Sequence, residues 1–398
     1  MDYMATSSSS SEDISMSPYC VRQTSMIGRM RLCDFPIMPS LSGSITCLDD
    51  PDLQRNVQLT VLGANIQLYM PVSVRYVQGH LIVADAGGHA VLRMNIDTGN
   101  VFRMAGNGLP GYVGDGGIAV HGRLNHPADA VVHPVLPMLY IADAMNHRIR
   151  NVDCESGMIS TFAGTDMGTD SFDRFAAVGI GFSSEVVGEA ESVRLMEPFR
   201  LAVSPSGSFL MVLERGEIVT AQCVDEDECS DDDATGACDH LNAYVTSRLL
   251  RIDLETRQTL HVGGSRGMGD VNSKTLKDYM FSQPVDMCFG TDDNILYVLE
   301  YGESNDCVGH VNAIDLSLNI CDRIFSCRSP TALCYDWDGG AAELVVSCIE
   351  ADSNCISLMR LCRRNGGFID LRTRTRTMLT CLNVILIVVA SGRRKTMR

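Results

Sequence analysis

Five short segments of this chain open with proline and carry a distinctive residue two positions later: Ser73, Asp129, Arg200, Asp286 and Ala332. A hydroxyl, two carboxylates and a guanidinium at one register can hold a polar ligand by charge and hydrogen bonding, provided the segments converge on one place. Ser73, Asp129, Arg200 and Asp286 are therefore the candidate ligand-binding residues. The same groups can instead pair with one another or with loop amides and serve stability alone. For a metal, these segments offer only His133, Asp129 and Asp286, fewer than the several histidine or carboxylate ligands that metal enzymes use. No Ser-His-Asp or Cys-His constellation is supported by spacing, so no catalytic residue and no resident metal are assigned.

Two further motifs read as loops. GYVGDGG from Gly111 could form an anion nest from successive amides, but it lacks the Gly-Lys-Ser/Thr ending of a nucleotide loop. The acidic stretch from Cys223 places Asp231, Asp233 and Thr235 ahead of Gly236, like the start of a calcium loop. Its twelfth position is Asn242 rather than the required glutamate. A solvated acidic insert over residues 223–244 is expected.

The elements that must position these residues are written in a repeated pentapeptide. LIVAD at Leu81, LYIAD at Leu139, LMVLE at Leu210, LYVLE at Leu296 and LVVSC at Leu344 each follow one of the prolines. A strand this short cannot bury itself, so its recurrence predicts units that pack on one another as an array or a closed ring. In the first two units four strands are legible: after the proline, at the pentapeptide, at VLRMNI or RIRNVD, and at VFRMAG or ISTFAG. Asp97-Thr98-Gly99 and Glu155-Ser156-Gly157 supply the turn between the third and fourth strands. Units open at Pro71, Pro127, Pro198, Pro284 and Pro330, the third carrying the acidic insert and the fifth the most eroded. A sixth can be assembled from residues 26–63 and the apolar C-terminal run, which would pair the last strand with the first and remove open edges.

Bulk properties narrow the partners. A net charge of -17 opposes binding to phosphate backbones, which depends on clustered Lys and Arg. Nucleic acid is not an expected partner. The 16 cysteines concentrate between Cys288 and Cys362 without any C-x-x-C spacing, and no signal peptide is visible, so reduced thiols and a cytoplasmic location are expected. The alternative is a membrane anchor: residues 378–390 form an apolar run of 13. As a helix it would span about 20 Å against a hydrocarbon layer of about 30 Å.

LYIADAMNHRIRNVDCESGMISTFAG resembles the NHL repeat of β-propellers, and AGNGLPGYVGDGGIAVHGRLNHP resembles the loop joining consecutive NHL blades. The resemblance is strong over residues 71–164 and weakens beyond Pro198. It implies an all-β, six-bladed β-propeller of four-stranded antiparallel blades, one of them closed by N- and C-terminal strands, commonly used as a binding platform. The family's Asp and Asn-His-Arg positions fall on Asp143, Asn146, His147 and Arg148. They are expected to be structural, because Gly88 and Ala90 replace the Asn and Arg in the first unit.

The expected organisation is a Ser-rich leader (1–25), a propeller (26–392) and a basic tail (393–398). The expected function is a monomeric, non-enzymatic scaffold that binds protein partners through blade-end loops and needs no cofactor. The alternatives are an NHL-related metal-dependent lyase or hydrolase using calcium or zinc at the central channel and, disfavoured by the acidity, an RNA-binding propeller.

Overall fold

In the computed structural model the described residues are 68–95, 98–165, 186–220, 243–264, 273–281, 283–301, 308–337, 342–350, 355–364, 367–371 and 377–378. They form five antiparallel sheets. The first contains β1 (Pro71–Val77), β2 (His80–Asp85), β3 (Ala90–Asn95) and β4 (Val101–Ala105) in that order. The second contains β5 (Gly117–Ile118), β6 (Pro127–Val132), β7 (Met138–Asp143), β8 (Arg148–Asp153) and β9 (Met158–Ala163). The third contains β10 (Val186–Glu189), β11 (Glu197–Val203), β12 (Phe209–Thr220), β13 (Ala243–Asp253) and β14 (Gln258–Gly263).

The fourth contains β15 (Gln283–Phe289), β16 (Ile295–Tyr301), β17 (Val308–Asp315) and β18 (Ile320–Arg328). The fifth contains β19 (Pro330–Trp337), β20 (Ala342–Glu350), β21 (Cys355–Arg364) and β22 (Gly367–Leu371), with β23 (Thr377–Met378) pairing with β21. Each proline-led unit of the sequence is one sheet, and each pentapeptide lies in its second strand.

The burial of those second strands explains their composition. Every residue from Leu81 to Asp85 and from Leu139 to Asp143 is buried, so both faces of the strand are covered and the sequence runs apolar without alternation. The outermost β4 is half exposed and mixes Phe102 and Arg103 with Ala105. Four apolar cores lie between consecutive sheets. Ile82 and Val91 meet Leu139 and Ile141, and Ala142 and Ile149 meet Leu201 and Val212. Met211 and Leu213 meet Met287 and Val298, and Leu299 and Val311 meet Leu333 and Val346.

The first strands β1, β6, β11, β15 and β19 touch in that order, which is the propeller arrangement with the first strand of each sheet nearest the axis. The linkers entering the second, third and fourth sheets follow one rule. The amides of Ala119, Ala190 and Leu276 donate to the carbonyls of Gly157, Arg257 and Asn319 at 2.8, 2.8 and 3.0 Å. Each acceptor is the left-handed residue of the turn between the third and fourth strands. The carbonyls of Ala119 and Ala190 accept from Gly106 and Gly164 of the preceding sheet, at 3.0 and 2.9 Å. One buried linker residue thus joins two sheets through its own backbone.

The segments 26–63 and 379–392 expected to complete a sixth unit, the leader 1–25 and the tail 393–398 lie outside the described residues. Most of the acidic insert does as well; β13 already begins at Ala243. Among the described residues no helix is long and apolar enough to cross a membrane, and residues 379–390 of the anchor alternative are not among them.

Candidate functional site

Each first strand carries a register shift at the same point, between its proline and the residue two positions on: Pro71/Ser73, Pro127/Asp129, Pro198/Arg200, Pro284/Asp286 and Pro330/Ala332. A bulge leaves its extra residue outside the ladder. Here four of those extra residues, Val72, Ala128, Phe199 and Val285, turn their carbonyls to one side chain. Arg200 donates from Nε to Val285 at 2.9 Å, from Nη1 to Phe199 at 2.9 Å and Ala128 at 3.1 Å, and from Nη2 to Val72 at 3.4 Å. One guanidinium, with its five donors in a fixed plane, therefore ties together four strands from four sheets.

The two carboxylates complete the hub. Asp129 accepts from Arg75 Nη2 at 2.7 Å, from the Ser73 hydroxyl, and from the amides of Ala130 at 2.9 Å and Leu201 at 3.0 Å. Asp286 accepts from Arg75 Nη2 at 3.2 Å and from the amides of Met287 at 2.9 Å and Leu333 at 3.0 Å. Its carboxylate also lies 3.5 Å from Arg200 Nε. Ser73, Asp129, Arg200 and Asp286 are thus brought into one cluster, and Ala332 lies beside it through its neighbour Leu333. Burial alone would raise Asp129, but Arg75 and Arg200 outweigh it and hold the carboxyl below the usual range. Burial lowers Arg200, whereas Asp129 and Asp286 outweigh burial at Arg75 and raise it.

Arg75 is the member that register reasoning missed. Its signal was available: it stands two residues past Ser73, on the same face of β1 by the two-residue period of a strand. His133, considered as a metal ligand, is elsewhere. Its Nδ1 accepts the amides of Val135 at 3.1 Å and Leu136 at 2.8 Å, which leaves Nε2 to donate to the Gly207 carbonyl at 2.9 Å. It fixes a turn and ties the second sheet to the third. Among the described residues no group of three or more His, Cys, Asp or Glu is placed to hold a metal ion.

A second repeated constellation sits at the last residue of the pentapeptides. Asp85 accepts the amides of Tyr69 and Met70 at 3.0 and 2.7 Å, Asp143 accepts that of Asn125, and Glu214 that of Met196, at 2.6 and 3.1 Å. Each acid anchors the chain just before it enters a first strand. Asn146 donates to Asp143 at 2.7 Å and to the Gly111 carbonyl at 2.8 Å. In the first sheet the bare amide of Gly88 reaches Asp85 at 3.2 Å instead. His147 reaches the Met196 carbonyl at the entry to the third sheet. The Asp-Asn-His positions are joints of the repeat.

Arg150, fully buried, pairs with Asp115 of the GYVGDGG loop and lies 3.5 Å from Asp143. Tyr112 donates to Asp115 at 3.0 Å and lies with its ring centroid 3.8 Å from the Arg148 guanidinium. That loop is a packed connection whose acid is occupied by protein. Burial pushes Asp143 up to about 6, against the opposing pull of the Asn125 amide, Asn146 and Arg150.

No family profile matches the chain. NHL repeat-containing protein 2 of Bos taurus is 33% identical over 100 residues, covering 25% of this chain and 13% of that protein. The match thus spans a small part of the relative's length. The nidogen/laminin complex gives a TM-score of 0.42 at 9% identity, covering 73% of this chain and 75% of that one. Kuenenia stuttgartiensis hydrazine synthase gives 0.43 at 13% identity, covering 81% and 71%. Structural likeness at these scores carries no argument about activity. The repeated joints and the shared linker rule describe an all-β chain in a propeller arrangement, and 100 of its residues are similar in sequence to NHL repeat-containing protein 2.

Proposed function

We propose that the chain is a non-enzymatic, cofactor-free propeller of the NHL type that holds protein partners with the loops at the ends of its sheets. The observation that carries this reading is the internal saturation of the hub. Asp129 and Asp286, the carboxylates that a metal-dependent lyase or hydrolase would need, face arginines and amides of neighbouring sheets. A rigid axis of this kind leaves recognition to the surface turns.

The turn between β6 and β7 supports that role. His133 pins its backbone, while Val135 and Leu136 stand 78% and 52% exposed. Leu318, 66% exposed, lies in the turn between β17 and β18, at the same end of the sheets by the alternation of antiparallel strands. In this reading the ring has six blades, the sixth completed by residues 26–63 and 379–392, and the acidic insert 223–244 adds a charged loop. A second reading, a small polar ligand at Ser73, Asp129, Arg200 and Asp286, is favoured only by the partial exposure of the Arg75 and Arg200 side chains, at 20% and 15%.

The test compares the full chain with a Val135→Asp/Leu136→Asp chain, both immobilised in extract of the source cells. A small set of proteins held stoichiometrically by the first and lost by the second, with thermal unfolding unchanged, is the expected result. Equal retention by both chains, or stoichiometric retention by neither, would sink the proposal.

A further inference from the structure

Two thiols meet at the seam between the fourth and fifth sheets. Cys327 in β18 and Cys348 in β20 are 5% and 2% exposed and lie in the apolar core those two sheets share, where β18 packs against β20. The local backbone brings them together. After β18 ends at Arg328, Ser329 adopts a left-handed φ of 45°, and the chain turns directly into β19 at Pro330, whose ladder partner is Cys348. Gly309 is the ladder partner of Cys327, and a Cβ there would collide with the Pro330 ring and the Glu300 carbonyl. The missing side chain lets the start of the fifth sheet close onto the edge of the fourth.

We propose that Cys327 and Cys348 are a disulfide-forming pair, which staples the outermost strand of the fourth sheet to the second strand of the fifth when the protein meets a disulfide oxidant. The Cys327 sulfur, the less covered of the two, attacks one sulfur of the oxidant as a thiolate and expels the other as a thiol. Cys348 then gives up its proton and attacks the mixed disulfide at Cys327, forming the Sγ–Sγ bond and releasing the second thiol. Two electrons pass to the oxidant, and its two thiol products carry away both protons. The neighbouring Cys327 thiol and then burial push the Cys348 thiol far above its ordinary range. Because the thiolate is the reacting form, exchange in the closed seam is slow and accelerates when the seam opens.

The two cysteines are 21 residues apart in sequence, so the bond removes a loop of that size from the unfolded ensemble, a stabilising effect. It does not depend on whether the turns bind partners.

The full chain is incubated with excess glutathione disulfide just below its unfolding midpoint, alkylated, digested without reduction and mapped by mass spectrometry. A peptide pair linked through Cys327 and Cys348 is expected, reversible by dithiothreitol, with an unfolding midpoint raised by roughly 5 °C. A Cys327→Ala/Cys348→Ala chain should show neither the link nor the oxidant-dependent rise. Free alkylation of both sulfurs after oxidation, or their linkage to other cysteines, would overturn the proposal. If the double variant does not fold, the map of the unaltered chain decides.

Discussion

The Asp129 carboxylate accepts the backbone amide of Leu201 at 3.0 Å, so a side chain of the second sheet completes the hydrogen bonding of the third. Asp286 repeats the relationship with Leu333, from the fourth sheet to the fifth. In both cases the accepted amide is two residues past the extra residue of the bulge in the next first strand. The acids at this register bind amides of the next first strand, which has a strand neighbour on one side only, and Arg200 binds the carbonyls of the bulge residues. Stability and any recognition at the axis therefore draw on the same few groups.

Arg200→Lys tests the carbonyl clamp. A lysine keeps the charge but is a point donor without the planar fork, so several of the four carbonyls lose their partner, at roughly 1–3 kcal/mol for each group left buried and unsatisfied. The expected loss is about 3 kcal/mol in urea unfolding. A variant as stable as the parent would show that the clamp is ornamental.

Gly164→Ala tests the joint at the end of β9. Gly164 has φ of +97° and a Cβ there would lie 2.5 Å from the His147 carbonyl, so both conformation and space oppose a side chain. A loss of about 2 kcal/mol is expected. Gly157→Ala is the control: φ is +72° with nothing within 4 Å of the added carbon, and about 1 kcal/mol is expected from the backbone alone. Equal losses in the two would contradict the contact with His147.

His89 and His126 meet edge to face, with ring centroids 4.7 Å apart. Burial holds both below the ordinary value of 6.5, and at His89 the neighbouring His126 adds to the effect. Folded pKa values below the unfolded one mean that the unfolded chain binds more protons just below pH 6.5. This contribution to stability is therefore present above 6.5 and lost as pH falls towards the folded values. Denaturation midpoints between pH 5 and 8 should fall on the acid side, less so in His89→Asn. An identical slope in the variant would exclude the pair as the cause.

Asp143 has the opposite sign. Its folded value of about 6 stands above the ordinary 3.8, so its contribution is greatest in acid and declines as pH rises through that interval. Carboxyl-carbon NMR of the folded chain should give a midpoint near 6 for this residue. A midpoint near 4 would mean that Arg150 and the Asn125 amide outweigh burial.

Much of this was legible in the sequence because the repeat supplies its own alignment. Once Pro71, Pro127, Pro198, Pro284 and Pro330 are superposed, strand periodicity puts Ser73, Asp129, Arg200 and Asp286 at one level, and the structure brings them together. Arg75 was missed because only one offset from the proline was considered, although the next residue on the same face follows from the same period. The role of His133 was not legible, because periodicity gives the face of a strand but not the turn that captures the imidazole. The Asp115–Arg150 pair and the packing of β18 on β20 join segments with no repeat partner to announce them. Such contacts arise only when sheets pack and cannot be read from spacing along the chain.

β5 and β10 precede the innermost strands of their own sheets in sequence, yet they hydrogen-bond to the outermost strands β9 and β14. In these two sheets the chain first crosses the full width and then weaves back to where it started, like a drawn purse-string. Pulling from either end cannot unzip such a sheet one strand at a time, because the first strand loaded is held by the last. The second, third and fourth sheets, the last laced by the Thr275–Ile320 bridge and the Cys321 amide on the Lys274 carbonyl, should therefore give way under force as whole units, whereas the first, which shows no such lacing among the described residues, can peel progressively from the rim.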